Sequence, residues 1–89
     1  MAAVTTNVYV TELAPIGGNT LNGTRIGFIT AGAKAAQNDK WDIKNINAIV
    51  KVFPTVDATG AFETHTISGT EITLTSATTG ACSAFVIYR

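Results

Sequence analysis

The sequence contains few of the residues that form disulfides or structural metal sites, which stabilise many small domains. Among its 89 residues there is one cysteine, Cys82, and one histidine, His65. A single cysteine cannot form an intrachain disulfide, and one His with one Cys cannot supply the four ligands of a closed zinc site. Because a chain of this size buries only about 60–65% of its unfolded surface, we expect association with other subunits to contribute to its stability.

Charged residues are also scarce. Six basic and six acidic residues give a formal net charge of zero, and only 13% of the residues are charged. Proteins that bind nucleic acid through its phosphates need a basic surplus, clustered on one face. The basic residues here are scattered along the chain among acidic ones, so we expect no direct contact with nucleic acid.

Long apolar runs are missing as well. No stretch approaches the roughly 20 apolar residues of a membrane helix, and the first residues lack the basic region and apolar run of an export signal. We therefore expect no membrane partner and a protein that is made and folded in a cytoplasm.

The residues that could carry catalysis are few and separate. His65 stands between two threonines in a strand-like segment, where a histidine usually faces water or a cross-strand neighbour, and no second histidine could complete a catalytic pair. Cys82 lies among small residues and is expected to be a small buried hydrophobe. Asp39 and Asp42 alternate with lysines, as in a solvated, charge-balanced turn. We predict no enzyme, no catalytic residue and no cofactor or metal site.

What the sequence does contain is the composition of β-strands. Threonine, valine and isoleucine alternate in short segments between glycine and asparagine turns. Gly27 inside such a segment indicates a bulge or a close backbone approach, and Pro54 indicates an edge strand. The pattern predicts one all-β domain over residues 1–89, a small β-sandwich or a jelly-roll-like, partly open barrel of about 6–8 short antiparallel strands. The predicted strands cover residues 4–13, 24–31, 40–43, 46–56, 62–67, 70–76 and 82–89. Alternation predicts that Ile72 and Leu74 point inward. It also predicts one buried face in the strand over residues 46–56, formed by Ile46, Ala48, Val50 and Val52.

Two features are candidates for a protein interface. Residues 1–7 form a polar N-terminal segment that could act as an interaction arm and add a strand to a neighbouring sheet. Trp41, beside charged residues, is a candidate for an exposed interface anchor; the alternative is that it closes one end of the core. The predicted interface residues are Ala2, Ala3, Val4, Thr5, Thr6, Asn7 and Trp41.

The C-terminal part carries a resemblance to a known class of proteins. The segments VDATG (56–60), ISGTEITLTSATTG (67–80) and FVIYR (85–89) resemble the C-terminal halves of small virion structural proteins of tailed bacteriophages. The resemblance implies a capsid cement or decoration protein, located on the virion surface. Its partners would be the major capsid protein and further copies of itself, as a homotrimer.

Two alternatives to the decoration protein remain open at this point. One is another phage structural component, from the tail tube, the neck or a fibre. The other is a free-standing module that binds carbohydrate or a cell-surface protein, for which Trp41 with Asp39 and Asp42 offers the one hint in the sequence.

Overall fold

The computed structural model describes residues 3–15 and 23–89, and these residues form eight β-strands. They lie in two sheets that do not close into a barrel, so the predicted all-β sandwich is confirmed. The strands are β1 (Thr5–Val8), β2 (Thr11–Pro15), β3 (Arg25–Lys34), β4 (Asp39–Ile43), β5 (Ile49–Val56), β6 (His65–Ser68), β7 (Glu71–Leu74) and β8 (Gly80–Tyr88).

Each sheet has four strands. The first sheet has the order β1-β4-β7-β6 and the second has the order β2-β3-β8-β5. Neighbouring strands are antiparallel, with one exception that the sequence did not predict: β1 runs parallel to β4. The turn between β6 and β7 has only two residues, and Gly69 in this turn has a φ of 60°, a conformation that costs glycine little.

The core lies between the two sheets and is built from the inward positions of alternating strands. Ile72 and Leu74 of β7 point inward as predicted, and both are fully buried. Trp41 is also in the core, with 3% of its surface exposed. The prediction that Trp41 is an exposed anchor is therefore wrong. In β4 the inward positions are Asp39, Trp41 and Ile43, so the flanking charges do not bring the indole to the surface.

The N-terminal segment is not a free arm. Thr5, Thr6 and Asn7 belong to β1, which is paired in register with β4 of the same chain. The backbone of Val4 is also held, because its carbonyl accepts a 2.9 Å hydrogen bond from the amide of Lys40. Ala3 is exposed, and Ala2 lies outside the described residues. The interaction arm is thus corrected to an edge strand of the first sheet.

The predicted single strand over residues 4–13 is wrong as well, because the chain passes from one sheet to the other at Tyr9 and Val10. The side chain of Asn45 takes the place of a neighbouring strand at this crossing. Its Oδ1 accepts from the Val10 amide, and its Nδ2 donates to the Val10 carbonyl, both at 2.9 Å. Backbone groups that leave a ladder need such partners.

Irregular pairing also changes which side of β5 is buried. The expectation that Val50 and Val52 share a buried face is wrong, because the register against β8 shifts between Ile49 and Lys51. Val52 is buried, whereas Val50 is 45% exposed. A bulge of this kind reverses the side-chain alternation along a strand.

Gly27 marks a close approach between β3 and the start of β2, as its position in a strand predicted. A Cβ atom at this position would lie 2.1 Å from Cγ1 of Val10 and 2.7 Å from the carbonyl oxygen of Thr11. We expect Gly27→Ala to destabilise the domain by about 1–3 kcal/mol, since the backbone must move to admit the methyl group. Urea unfolding measures the change. Gly60→Ala, where a Cβ meets nothing within 4 Å but φ is +71°, reports the cost of a left-handed backbone, about 1–2 kcal/mol, without crowding.

Candidate functional site

Three phenylalanines form a row across the outer face of the second sheet. The pairing of β3 with β8 places Phe28 opposite Phe85, and the pairing of β8 with β5 places Phe85 opposite Phe53. The rings of Phe28 and Phe85 are 4.9 Å apart and meet edge to face at 61°. Phe85 is 46% exposed and Phe53 is 37% exposed. Their neighbours along the strands, Val86 and Val52, point to the opposite side of the sheet and are buried in the core.

A fourth phenylalanine extends this row. Phe62 forms an isolated bridge with Thr55 beside the edge of β5, and it is the most exposed large apolar side chain described, at 77%. An open depression of about 480 Å³ lies between Ile26, Phe53, Thr55, Phe62 and Phe85. We call the surface formed by Ile26, Phe28, Phe53, Phe62 and Phe85 the phenylalanine face.

A groove lies where the two sheets separate, between β5 of the second sheet and β6 of the first. It has a volume of about 490 Å³, and we call it the edge groove. Phe53 and Phe62 contribute to both the edge groove and the phenylalanine face. The lining residues are Val50, Lys51, Val52, Phe53, Pro54, Phe62, Glu63, His65 and Ile67.

An ion pair is buried beneath the edge groove. Nζ of Lys34 lies 2.7 Å from Oε1 of Glu63, and their side chains are 0% and 1% exposed. The ammonium also donates to the carbonyls of Ser76 and Thr78 and to Oγ of Ser76. The same Glu63 oxygen accepts from the amide of Ser76 at 3.2 Å. The ion pair therefore joins β3, the segment before β6 and the turn that follows β7.

The protonation of Glu63 is set by competing effects. Burial alone would raise the pKa of Glu63, but the hydrogen bonds from Lys34 and Ser76, together with the Lys34 charge, hold this pKa below its ordinary value of 4.5. The carboxylate is thus charged and occupied by Lys34 and Ser76. Both hydrogen bonds go to Oε1, and through them the Glu63 side chain holds three parts of the fold together.

The other polar residues considered in the sequence are also held. Asp39 is buried, not solvated: it accepts hydrogen bonds from the amides of Val4, Ala35 and Ala36 at 2.9–3.0 Å. The backbone hydrogen bond from Val4 contributes most to a lowered pKa of Asp39. Asp42 forms a 2.7 Å surface pair with Lys44.

Cys82 has the surroundings expected of it, whereas the recorded partner of His65 is a backbone carbonyl two residues earlier in its own segment. Cys82 is 1% exposed, and burial, with a smaller contribution from the charge of Glu63, raises the pKa of its thiol. A raised pKa keeps the thiol protonated and a weak nucleophile. Nδ1 of the partly buried His65 lies 3.2 Å from the carbonyl oxygen of Glu63.

The structure does not bring the predicted interface residues together into one exposed site. Thr5, Thr6 and Asn7 lie in β1, while Trp41 is in the core, so the exposed apolar surface lies elsewhere. Sequence reasoning missed the phenylalanine face, although a signal was present. Phe53 follows the inward Val52, and Phe85 precedes the inward Val86, so simple alternation already places both rings on the outer side of their strands.

Within residues 3–15 and 23–89, no group of three His, Cys, Asp or Glu side chains is placed to hold a metal ion. The same part of the chain contains no helix long and apolar enough to cross a membrane. Comparison of the sequence and structure with protein-family models, curated proteins and solved structures gave no match.

Proposed function

We propose that the domain is a non-enzymatic structural subunit: a capsid cement or decoration protein that binds the outer face of a tailed-phage head. The observation that supports this role is the phenylalanine face. Phe53, Phe62 and Phe85 are exposed on one contiguous surface, in a chain with few charges. Contiguous apolar surface on a small soluble domain is typical of a protein interaction site.

The size of this surface is sufficient for a stable contact. Covering one phenylalanine side chain completely contributes about 1.5–3 kcal/mol, so covering the exposed fractions of Phe53, Phe62 and Phe85 contributes several kcal/mol. A symmetric shell repeats the contact many times. A head filled with packaged DNA gains from clamps between neighbouring capsid subunits, and a clamp of this kind requires no reactive groups.

The resemblance of the C-terminal segments to phage virion proteins gives the partner, the major capsid protein. Further copies of the same chain are the second partner. A location in the tail, neck or a fibre would use the same phenylalanine face and is the second candidate. The carbohydrate-binding module loses its one supporting hint, because Trp41 is buried and the carboxylate of Asp39 is occupied by three backbone amides.

We expect Phe85→Ser to weaken binding to the phage head by about 30-fold or more. Phe85 is central in the row, and truncation of a central aromatic anchor commonly costs about 2 kcal/mol or more. Heads that lack the protein, prepared from the encoding phage, are incubated with increasing concentrations of each purified variant. Bound protein is then measured after sedimentation of the heads.

The matched control is Tyr9→Ser. Tyr9 is more exposed than Phe85, at 64%, and it lies at the crossing between β1 and β2, outside the set of residues that form the phenylalanine face. We expect this variant to bind like the parent protein. Equal binding of all three proteins, with unchanged circular dichroism, would contradict the use of the phenylalanine face.

A further inference from the structure

The four edge strands of the two sheets differ in how they are protected. β2 contains Glu12, Pro15 and an irregular register, and β5 contains Lys51, Pro54 and a shift in register. Charges, prolines and bulges keep an edge from pairing with another chain. In contrast, β6, from His65 to Ser68, has no proline or formally charged acid or base, and its register against β7 is regular.

The backbone of β6 leaves a defined set of groups unpaired. The amide of Thr75 donates to the carbonyl of Thr64 at 2.9 Å, which fixes which β6 residues face β7. Residues that bond to the neighbouring strand alternate with residues whose N–H and C=O point to the other side. Thr66 therefore bonds to β7, while His65 and Ile67 direct their backbone groups to the open edge. Within the described residues, no backbone hydrogen bond reaches these groups.

The side chains beside this edge are apolar and uncovered. Ile67 lies on the same face as the fully buried Ile72, its register partner, yet it is 42% exposed because the second sheet ends at β5. Across the edge groove, Val50, Phe53 and Phe62 are also exposed. An inward face that stays partly exposed, next to an unprotected edge, is a site for strand addition.

We propose that β6 pairs with β6 of a second copy of this chain, antiparallel about a twofold axis at Thr66. His65 of each copy then lies opposite the partner's Ile67, and each copy donates two backbone hydrogen bonds and accepts two. The two four-stranded first sheets become one continuous sheet. The two edge grooves lie on the same side of that sheet and face each other, so their apolar side chains cover one another.

The exposed area supplies part of a contact of this kind. A phenylalanine buries about 150–250 Å² when fully covered, so the exposed fractions of Val50 and Ile67, with the parts of Phe53 and Phe62 that line the edge groove, would supply roughly 200–300 Å² per copy. Phe85 and Ile26 do not line the edge groove and stay available to the phage head. Stable interfaces bury about 800 Å² per partner. The β6 backbone and its flanking threonines supply part of the rest, and we expect a dissociation constant on the order of 10 µM.

The other unprotected edge, β1, does not offer the same complement. Its outward residues Thr5 and Asn7 are exposed polar side chains, and neither of them lines the edge groove. Pairing of β6 with β1 of another copy would leave the edge groove open on one side. It would also give a head-to-tail ring, such as the trimer that the resemblance implies, whereas β6 with β6 gives a closed dimer.

The test is sedimentation velocity of the full chain and two proline variants over a range of concentrations. Ile67→Pro removes an N–H that points to the open edge and leaves the β6–β7 hydrogen bonds intact, because proline is tolerated at such edge positions. Asn7→Pro makes the equivalent change on the edge of β1. We expect the parent chain and Asn7→Pro to reach twice the 9.3 kDa monomer mass, and Ile67→Pro to raise the dissociation constant at least ~30-fold.

Each other outcome overturns the proposal. A parent protein that stays monomeric to several hundred micromolar excludes β6 pairing at its expected strength. Loss of association in both proline variants identifies β1–β6 pairing in its place, and loss in neither identifies another surface. If Ile67→Pro does not fold, amide hydrogen exchange of the parent protein tests the β6–β6 pairing instead. The amides of His65 and Ile67 are protected in a β6–β6 dimer and lose this protection on dilution, whereas the amide of Thr66 is protected in both states.

The proposal rests on the proposed role of the domain as an assembly subunit, and it names the edge through which two copies meet. Failure of the β6–β6 pairing can be distinguished from failure of the proposed attachment to the phage head. Ile67→Pro tests association of the free protein in the absence of any phage head, whereas Phe85→Ser tests attachment to the head. A monomeric protein that still binds heads through Phe85 would overturn only the β6 pairing.

Discussion

Glu63→Ala is expected to destabilise the domain by about 3–5 kcal/mol, because it leaves the buried Lys34 ammonium without a counter-charge. The remaining acceptors of that ammonium, on Ser76 and Thr78, are neutral. A domain of 89 residues has a total stability of only about 4–13 kcal/mol, so we expect Glu63→Ala to be largely unfolded or close to it. Urea unfolding followed by circular dichroism gives the free-energy change.

Two controls separate burial of the charge from simple loss of an ion pair. Glu12 forms an ion pair with Arg25 at the same 2.7 Å separation, but both of these side chains are about half exposed. Glu12→Ala should therefore lower the unfolding free energy by at most about 1 kcal/mol. The double variant Lys34→Met with Glu63→Leu removes both charges and should recover most of the lost stability. Equal effects of Glu63→Ala and Glu12→Ala would contradict the structural role of the buried pair.

The same ion pair predicts sensitivity to acid. The pKa of Glu63 is lower in the folded chain than its ordinary value of 4.5. As the pH falls below about 4.5, the unfolded state therefore binds more protons than the folded state. The stability from Glu63 is fully present above about pH 4.5 and is lost as the pH falls through the folded pKa. The double Met/Leu variant should therefore show a shallower loss of stability between neutral and acidic pH than the parent.

Trp41→Ala has the second large expected effect, a loss of about 3–5 kcal/mol in unfolding free energy, because it empties an aromatic-sized volume in the core. Trp41 packs in one cluster with core residues of both sheets, among them Ile72 and Val86. We expect the variant to lose most of its cooperative unfolding transition at 25 °C. Thermal and urea unfolding of this variant are followed by circular dichroism, because Trp41→Ala removes the indole whose fluorescence would otherwise report unfolding.

Phe62→Ala is the matched control for Trp41→Ala. It truncates an aromatic side chain that is 77% exposed, against 3% for Trp41, and should change the unfolding free energy by less than about 1 kcal/mol. A Trp41→Ala variant with near-parent stability and weakened binding to phage heads would contradict the core position of Trp41 and return it to the interface.

The parts of the fold that could be predicted from sequence are those that depend on neighbouring residues. Alternation gave the inward side of β7, with Ile72 and Leu74, and the small-residue surroundings of Cys82 indicated burial. The glycine-containing turn between β6 and β7 was predicted one residue early, since Ser68 closes the strand and Gly69 with Thr70 forms the turn. Such signals are local, and a sequence displays them directly.

The features that could not be predicted depend on contacts between distant residues. Lys34 meets Glu63 across 29 positions, and Asn45 holds Val10 across 35. In both pairs, the sequence around one residue contains no local pattern that identifies the other. The bulge beside Lys51 reverses the exposure of Val50 without any glycine or asparagine to mark it. The error at Trp41 has a different cause: Lys40 and Asp42 beside it point to the opposite face of β4, so their charges carry no information about the exposure of the indole.

The role of the domain as a head decoration subunit is tested most directly by the protein composition of purified phage particles. Heads and tails of the encoding phage are separated on a density gradient, and the chain is quantified by mass spectrometry relative to the major capsid protein. We expect a constant ratio of the chain to the capsid protein in the head fraction and none in the tail fraction. Its absence from heads, with the chain found only in tails or as free protein, would contradict the proposed function.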